Sequence, residues 1–239
     1  MSDLTPAPDE LPPGNDRLRV GVAILGAALP PILLAFGLWF GGRFPPTLSD
    51  FYYLPPASTF FIGILWANGV FLILYQGYAT VPRAYRAALP HPLARWMTDA
   101  VLSSTAGFAM ILVAVVPTCD GAGCGLVSFA TLHLLAAFVC LGTLGVIAGF
   151  TFTASDKPPE AQSDFRRQST RIYRTCAALI WGALAVIGLL KAVGPADLGA
   201  AVFWLESVAI WAFAYSWWRK SRPDPGEAAG SGAERGAGG

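Results

Sequence analysis

Residues 127–152 read VSFATLHLLAAFVCLGTLGVIAGFTF, a run of 26 residues without a single Asp, Glu, Lys or Arg. About 20 apolar residues suffice for a helix to cross roughly 30 Å of hydrocarbon. The run lacks the two-residue alternation of an outer-membrane barrel strand, so its length and composition predict a membrane-spanning helix. The only side chain in this run with a basic nitrogen is that of His133.

Five other stretches share this apolar character, and together they predict an all-α polytopic membrane protein, a bundle of six transmembrane helices. The mean hydropathy of +0.53 agrees with this class. So do the 54% hydrophobic and 13% charged residues, a balance too apolar for an ordinary soluble domain. The transmembrane domain is expected over residues 17–220, between tails 1–16 and 221–239 whose composition predicts disorder. The predicted spans are 19–40, 58–80, 98–116, 127–152, 173–193 and 200–218.

The basic residues predict how the bundle is oriented. Of the 16 Lys and Arg residues, all except Arg43 and Lys191 lie in or next to the two terminal tails, the loop between spans 2 and 3, and the loop between spans 4 and 5. Positively charged loops stay in the cytoplasm, so both termini are predicted to be cytoplasmic, in a bacterial inner membrane. The connections between spans 1–2, 3–4 and 5–6 then face outward. Tyr and Trp residues near the span ends are interpreted as interfacial belts; they include Trp39, Tyr53, Tyr75, Tyr173, Tyr215, Trp217 and Trp218.

Composition also excludes several classes of function. A formal net charge of +1 leaves no basic surface for nucleic acid. Two histidines and four cysteines cannot furnish two bis-histidine haems or a closed all-cysteine zinc site where they fall. No cofactor is predicted, and a divalent metal has no spacing signature to support it. Cys119 and Cys124 bracket the outward 3–4 loop, and an oxidising compartment would favour a disulfide between them.

Three side chains within or close to the membrane are the candidate catalytic residues. Glu206 in span six and His133 in span four are predicted to lie at the same depth below the outer surface, and Asp50 lies in the outward 1–2 connection. An ionisable group in a span is costly unless it pairs or faces an interior, so it is a functional candidate by default. These groups are expected to converge on a pocket. The alternative is a buried hydrogen bond between His133 and Glu206 that only fixes two helices.

The 1–2 connection, GRFPPTLSDFYYLPPAS at 42–58, supplies most of the candidate ligand-binding residues. Its proline pairs and aromatic residues predict an ordered cap. The amide at mid-depth of span two is a further candidate, although such groups often serve only to join helices. The candidate set is Arg43, Ser49, Tyr52, Tyr53 and Asn68.

A succession of short motifs carries a family resemblance. They are LSDFYY at 48–53, ILYQGY at 73–78, VPT at 116–118, the single histidine of span four, RIYR at 171–174 and FWLESVAIWAF at 203–213. Over about residues 49–218 the chain resembles a family of uncharacterised bacterial six-helix integral membrane proteins. More remotely, it is similar to the family of autophagy modulators and GPI-anchor maturation proteins, which implies lipid handling and carries over only Glu206. It departs from zinc-dependent intramembrane hydrolases, which use three histidines in seven helices.

These features predict a membrane protein whose polar pocket opens to the outer leaflet and binds or processes a lipid or another amphiphile. If it is an enzyme, it is a hydrolase or transferase acting on a lipid, with His133 carrying the proton. The alternatives are a proton-coupled transporter and a non-enzymatic accessory or scaffold subunit. The expected partners are membrane lipids, with a second copy of the chain or another membrane protein left open.

Overall fold

The computed structural model describes residues 15–40, 45–75, 98–118, 129–155, 159–193 and 199–225. Within these ranges the chain is helical and contains no strand, which confirms the predicted all-α class. A 3₁₀ turn at Ser49–Tyr53 precedes α2, a π-helical turn at Ile147–Thr151 extends α4, and a second 3₁₀ turn lies at Pro159–Ala161. The described ranges contain six α-helices: α1 Asn15–Phe40, α2 Ala57–Leu74, α3 Asp99–Val115, α4 Phe129–Val146, α5 Asp164–Val193 and α6 Ala201–Lys220.

The helices form a closed ring. Each helix packs against its neighbours in the sequence, and α6 returns to pack against α1. Consecutive helices run in opposite directions, so the end of α1, the start of α2, the end of α3 and the starts of α4 and α6 meet at one end of the bundle. We call this the cap end. The opposite end carries most of the basic residues and is called the arginine end.

Among the described residues, four helices are long and apolar enough to cross a membrane: α1, α2, α4 with its π turn, and α5. α3 is apolar but has only 17 residues. The outward faces agree with a lipid environment, because Ile24, Phe108, Leu134 and Leu189 are more than half exposed. Large apolar side chains exposed around a bundle in this way are unusual on a soluble monomer. The predicted number of six spans stays a prediction.

Helix boundaries differ from the predicted spans where hydropathy is a poor guide. α5 begins at Asp164, about nine residues before the predicted span, because the basic stretch before it continues as helix. α1 already begins at Asn15, inside the predicted disordered tail. α2 ends at Leu74, earlier than predicted, and residues 76–97 lie outside the described ranges. The rest of both predicted tails, 1–14 and 226–239, lies outside them too.

α2 and α3 approach each other through paired glycines. A Cβ placed on Gly107 would lie 2.5 Å from the carbonyl oxygen of Gly69 and 3.1 Å from the backbone nitrogen of Ile73. Backbone atoms cannot rotate away as a flexible side chain can. This contact therefore requires glycine, as expected for helices that associate through small residues in a membrane.

Gly107→Ala is expected to lower the melting temperature in detergent, because α2 and α3 must separate to admit the methyl group. Overpacking of this kind costs about 1–3 kcal/mol. Gly63→Ala in α2 is the matched control, since nothing lies within 4 Å of an added Cβ there. It should leave the melting temperature unchanged or raise it slightly, as alanine favours helix over glycine. Equal melting temperatures for the two variants would show that the close approach is not structurally required.

The arginine end of the bundle is closed by a buried arginine on a cluster of aromatic rings. The Arg19 side chain is 2% exposed, donates to the Tyr75 hydroxyl over 2.8 Å and pairs with Asp16 over 2.9 Å. The Tyr75 ring meets Trp217 edge to face with centroids 4.9 Å apart, and Phe152 lies 5.5 Å from Trp217. Such edge-to-face pairs fill the inner part of the bundle.

The interfacial-belt interpretation is therefore wrong for Tyr75, Tyr173 and Trp217, which are at most 2% exposed. They lie in the core because their rings pack against one another and against Phe152, and this cluster closes the arginine end. Trp39, Tyr215 and Trp218 are exposed at the helix ends, as interfacial residues would be.

Candidate functional site

Residues 45–53, which we call the cap segment, lie across the cap end between α1 and α2. A reciprocal set of hydrogen bonds shapes its turn: Asp50 Oδ2 accepts from the Thr47 hydroxyl over 2.8 Å and from the Thr47 amide over 3.1 Å. The Thr47 hydroxyl in turn accepts from the Asp50 amide over 3.2 Å. This is the capping arrangement that Asp and Thr side chains make at the start of a helical turn. The Asp50 carboxylate is thus occupied in holding the turn on which Ser49 lies.

α6 holds the cap segment from one side. Glu206 Oε2 accepts a hydrogen bond from the Leu48 amide over 2.7 Å, and the Phe203 amide donates to the Pro46 carbonyl over 2.9 Å. Phe203 is in the first turn of α6, where backbone amides have no partner inside the helix. The cap segment therefore satisfies an otherwise unpaired amide of α6, while Glu206 satisfies a buried amide of the cap segment.

α4 holds the same segment from the other side through His133. Its Nε2 lies 2.8 Å from Ser49 Oγ, and its Nδ1 lies 2.6 Å from the carbonyl oxygen of Val116. Val116 follows the last residue of α3 and precedes Pro117, which favours extended backbone and turns this carbonyl out of the helix. His133 is 4% exposed and its contact with Val116 is buried, whereas its contact with Ser49 is only partly buried.

The Val116 contact determines the tautomer of the histidine. A carbonyl oxygen can only accept, so Nδ1 must carry the hydrogen and donate it to Val116. In the neutral ring Nε2 is then bare and accepts from the Ser49 hydroxyl. The imidazole is oriented by one partner and presents a base to the other.

His133 and Glu206 therefore reach the same segment but not each other. They bond to Ser49 and Leu48, which are adjacent in the chain. The direct His133–Glu206 hydrogen bond, the alternative considered from the sequence, is not formed. Instead, Glu206 bonds to the Leu48 amide and His133 bonds to the Ser49 hydroxyl. The physical reason is that the cap segment runs between the two helices at the depth where both side chains lie.

A cavity of about 70 Å³ lies on the bundle axis beneath the cap segment. One water molecule needs roughly 10–15 Å³, so the space can hold several waters or a narrow group of a ligand. Five of the six helices and the cap segment form its wall, which is mainly apolar. The polar residues lining it are Ser49, Asn68 and Glu206; the apolar ones include Leu65, Met110, Leu144 and Phe213.

Asn68 brings an unsatisfied polar group into this wall. The residue is 2% exposed, and its Oδ1 has no hydrogen-bond partner among the described residues. Leaving a buried polar atom unpaired costs about 1–3 kcal/mol, so native proteins rarely retain one without a bound partner or a role. Asn68 Oδ1 can therefore accept a hydrogen bond from a water molecule or from a ligand in the cavity.

Among the predicted site residues that the structure describes, Asp50, Tyr52, Tyr53 and His133 do not line the cavity. Tyr52 and Tyr53 pack edge to face with centroids 5.2 Å apart, and Tyr53 is 45% exposed. Arg43 lies outside the described residues, as do Cys119 and Cys124 and hence the predicted disulfide. Cys140 and Cys176 are buried free thiols. In the described part of the chain, no three His, Cys, Asp or Glu side chains are grouped so as to hold a metal ion.

Two groups that contribute to this site were not predicted from the sequence: the Val116 carbonyl and the Thr47 hydroxyl. A proline directly after an apolar run signals a free carbonyl at a helix end, and the VPT motif at 116–118 carries that signal. The spacing of Thr47 and Asp50 is a capping signal of the same kind. Neither pattern indicates which distant side chain will use the group.

A scan against protein-family models, a search of curated proteins and a search of solved structures each found no match.

Proposed function

We propose that this chain is a six-span integral membrane protein that binds a lipid or a similar amphiphile in the axial cavity beneath its cap segment. The single observation that carries the proposal is the buried, unpartnered amide oxygen of Asn68 in an otherwise mainly apolar cavity. An apolar wall with a few polar groups is the usual character of a ligand site. An amphiphile supplies an apolar chain for the wall and, through a hydroxyl or ammonium group, a hydrogen-bond donor for Asn68 Oδ1.

The proposed orientation places the cap end outside and the arginine end in the cytoplasm. The segregation of charge supports it, since Arg19, Arg219 and Lys220 lie at one end of the bundle and Lys191 near the other. Basic residues stay on the cytoplasmic side. The ligand then enters from the outer leaflet of a bacterial inner membrane.

Binding is favoured over passage through the bundle. The described residues beyond the cavity, towards the arginine end, include the rings of Tyr75, Phe152 and Trp217 and the buried side chain of Arg19. A proton or solute pathway needs a continuous row of polar groups or water. No observation favours the transporter or scaffold alternatives to a comparable degree.

A photo-crosslinking experiment tests the proposal. Phosphatidylethanolamine with a diazirine in the middle of one acyl chain is reconstituted with the full-length protein in proteoliposomes, irradiated, and the crosslinked residues are mapped by mass spectrometry. We expect crosslinks to cavity residues such as Leu65, Met110 and Leu144 in addition to the exposed lipid-facing residues. The surface crosslinks serve as an internal standard.

Two variants should remove the cavity crosslinks by different routes. Asn68→Leu deletes the amide without much change in volume, and Ala137→Phe fills the cavity from α4, so each should reduce cavity labelling at least about tenfold while surface labelling persists. Thr59→Val is the matched control, because Thr59 lies on the same helix as Asn68 but is exposed and lies outside the cavity wall. Crosslinks confined to the outer surface of the wild-type protein would contradict the proposed function.

A further inference from the structure

We propose that Ser49 is the nucleophile and His133 the general base of an acyl-transfer site, and that the substrate is a carboxylic ester of an acylated lipid. This inference rests on the proposed function, since the ester must reach the cavity beneath the cap segment.

The geometry of the two side chains is that of an activated serine. The distance from Ser49 Oγ to His133 Nε2 is 2.8 Å, and the imidazole is oriented in turn by the Val116 carbonyl, 2.6 Å from Nδ1. A nucleophile, a base within hydrogen-bond reach and a third group that fixes the base is the general pattern of covalent catalysis. Here a backbone carbonyl takes the orienting position that a carboxylate often occupies.

Ser49 is also held in place from both sides along the chain. Its predecessor Leu48 is bonded to Glu206, and its successor Asp50 is bonded to Thr47. A hydroxyl fixed by its neighbours is preorganised towards its base, which reduces the entropy lost when a substrate reacts. Glu206 and Asp50 are therefore positioning residues, in contrast to the direct catalytic role predicted from the sequence.

Ser49 lies at the wall of a space where an ester can bind. Ser49 lines the axial cavity together with Asn68, while the rest of the wall is mainly apolar and suits an acyl chain. The Asn68 amide lines the same cavity, and its unpartnered Oδ1 can accept a hydrogen bond from the hydroxyl of the released alcohol or from the attacking water.

The reaction balances with water as the second substrate. Ser49 Oγ attacks the ester carbonyl carbon while its proton passes to His133 Nε2, and the carbon–oxygen bond to the alcohol breaks as that alcohol takes the proton. The products of this half are a free alcohol and an acyl-serine. Water then attacks the acyl-serine, passes a proton to Nε2 and releases the carboxylic acid, and the proton returns to Ser49 Oγ.

An alkyl fluorophosphonate provides the test, since it phosphonylates a serine only when a base activates the hydroxyl. Ser49 Oγ forms the bond to phosphorus, fluoride leaves and His133 takes the proton. We expect the full-length wild-type protein in proteoliposomes to be labelled at the peptide containing Ser49. Ser49→Ala should abolish labelling, and His133→Gln should slow it by at least about 100-fold.

Ser58→Ala is the matched control, because Ser58 is a partly buried serine at the same end of the bundle, in the first turn of α2, and is not bonded to a histidine. The Ser58→Ala variant should still be labelled at Ser49, at the wild-type rate. Because the decisive result is the labelling site in the wild-type protein, a variant that fails to fold does not weaken the test.

The outcomes separate this proposal from the one on which it rests. A wild-type protein that is unlabelled at Ser49 but still crosslinks lipid in its cavity overturns the catalytic assignment and leaves lipid binding standing. Loss of both signals in a folded protein overturns both. Labelling at Ser49 that is equally fast in His133→Gln also overturns the assignment, because the histidine would then not act as the base.

Discussion

Replacing Glu206 by leucine is expected to lower the melting temperature of the protein and to release the cap segment from α6. The Glu206 carboxylate is the acceptor for the Leu48 amide at 2.7 Å, and Leu48 is 3% exposed. Without an acceptor this amide remains buried and unpaired, which costs about 1–3 kcal/mol. Thermal unfolding in detergent measures the loss, and hydrogen exchange at the amides of residues 47–50 shows where it arises.

Glu206→Gln is the matched variant for this prediction. Its amide carbonyl keeps an acceptor in place of Oε2, so the cap segment should stay fastened and the melting temperature should remain close to wild type. Fluorophosphonate labelling of Ser49 should persist in Glu206→Gln and fall in Glu206→Leu, because Glu206 acts through the position of the cap. Wild-type hydrogen exchange in the leucine variant would show that the Glu206–Leu48 bond does not hold the cap segment.

Replacing Arg19 by methionine is expected to destabilise the arginine end of the bundle. The guanidinium donates to the Tyr75 hydroxyl over 2.8 Å and lies 5.3 Å from the centroid of the Tyr75 ring, and it also reaches the Lys220 carbonyl over 3.4 Å. It therefore joins α1 to the end of α2 and to the end of α6. Methionine keeps much of the stem but leaves the buried Tyr75 hydroxyl without this donor, and we expect a loss of about 2–3 kcal/mol.

Arg17→Met is the control, because Arg17 is on the same turn of α1 but exposed. It changes the net charge equally and should shift the melting temperature far less. A double-mutant cycle with Tyr75→Phe then isolates the hydrogen bond: the effects of Arg19→Met and Tyr75→Phe should be strongly non-additive if the two groups act as a pair. Equal destabilisation by the Arg17 and Arg19 variants would refute the structural role assigned to Arg19.

Much of the helical framework could be predicted from the sequence because hydropathy is a sum over neighbouring residues. Runs such as 127–152 bury apolar surface wherever they lie in the bundle, so their helical state needs no knowledge of the tertiary fold. The start of α5 at Asp164 could not be found in this way, since its first turns are basic and contribute nothing to an apolar window. The π turn at Ile147–Thr151 has no comparable sequence signal.

The aromatic residues illustrate where local reasoning fails. Trp217 and Trp218 are adjacent and chemically identical, yet Trp217 is fully buried and Trp218 is 37% exposed. A helix directs successive side chains about 100° apart, so one faces the bundle and the other faces away. Which of them faces inward depends on how α6 is rotated about its axis against α1 and α5. In the same way, the orientation of α1 in the bundle determines that Arg19 is buried.

By itself, the sequence determined the helical class, the apolar faces and the few residues, His133 and Glu206 among them, that are too polar to face lipid. Only the tertiary structure decided that His133 contacts Ser49 and Val116 and that Glu206 contacts Leu48. The physical reason is range. The free energy of apolar burial is nearly additive along the chain. A hydrogen bond, by contrast, forms only when a donor and an acceptor that are distant in the sequence come to within a few tenths of an ångström of their ideal separation. That meeting depends on the path of the cap segment between α4 and α6.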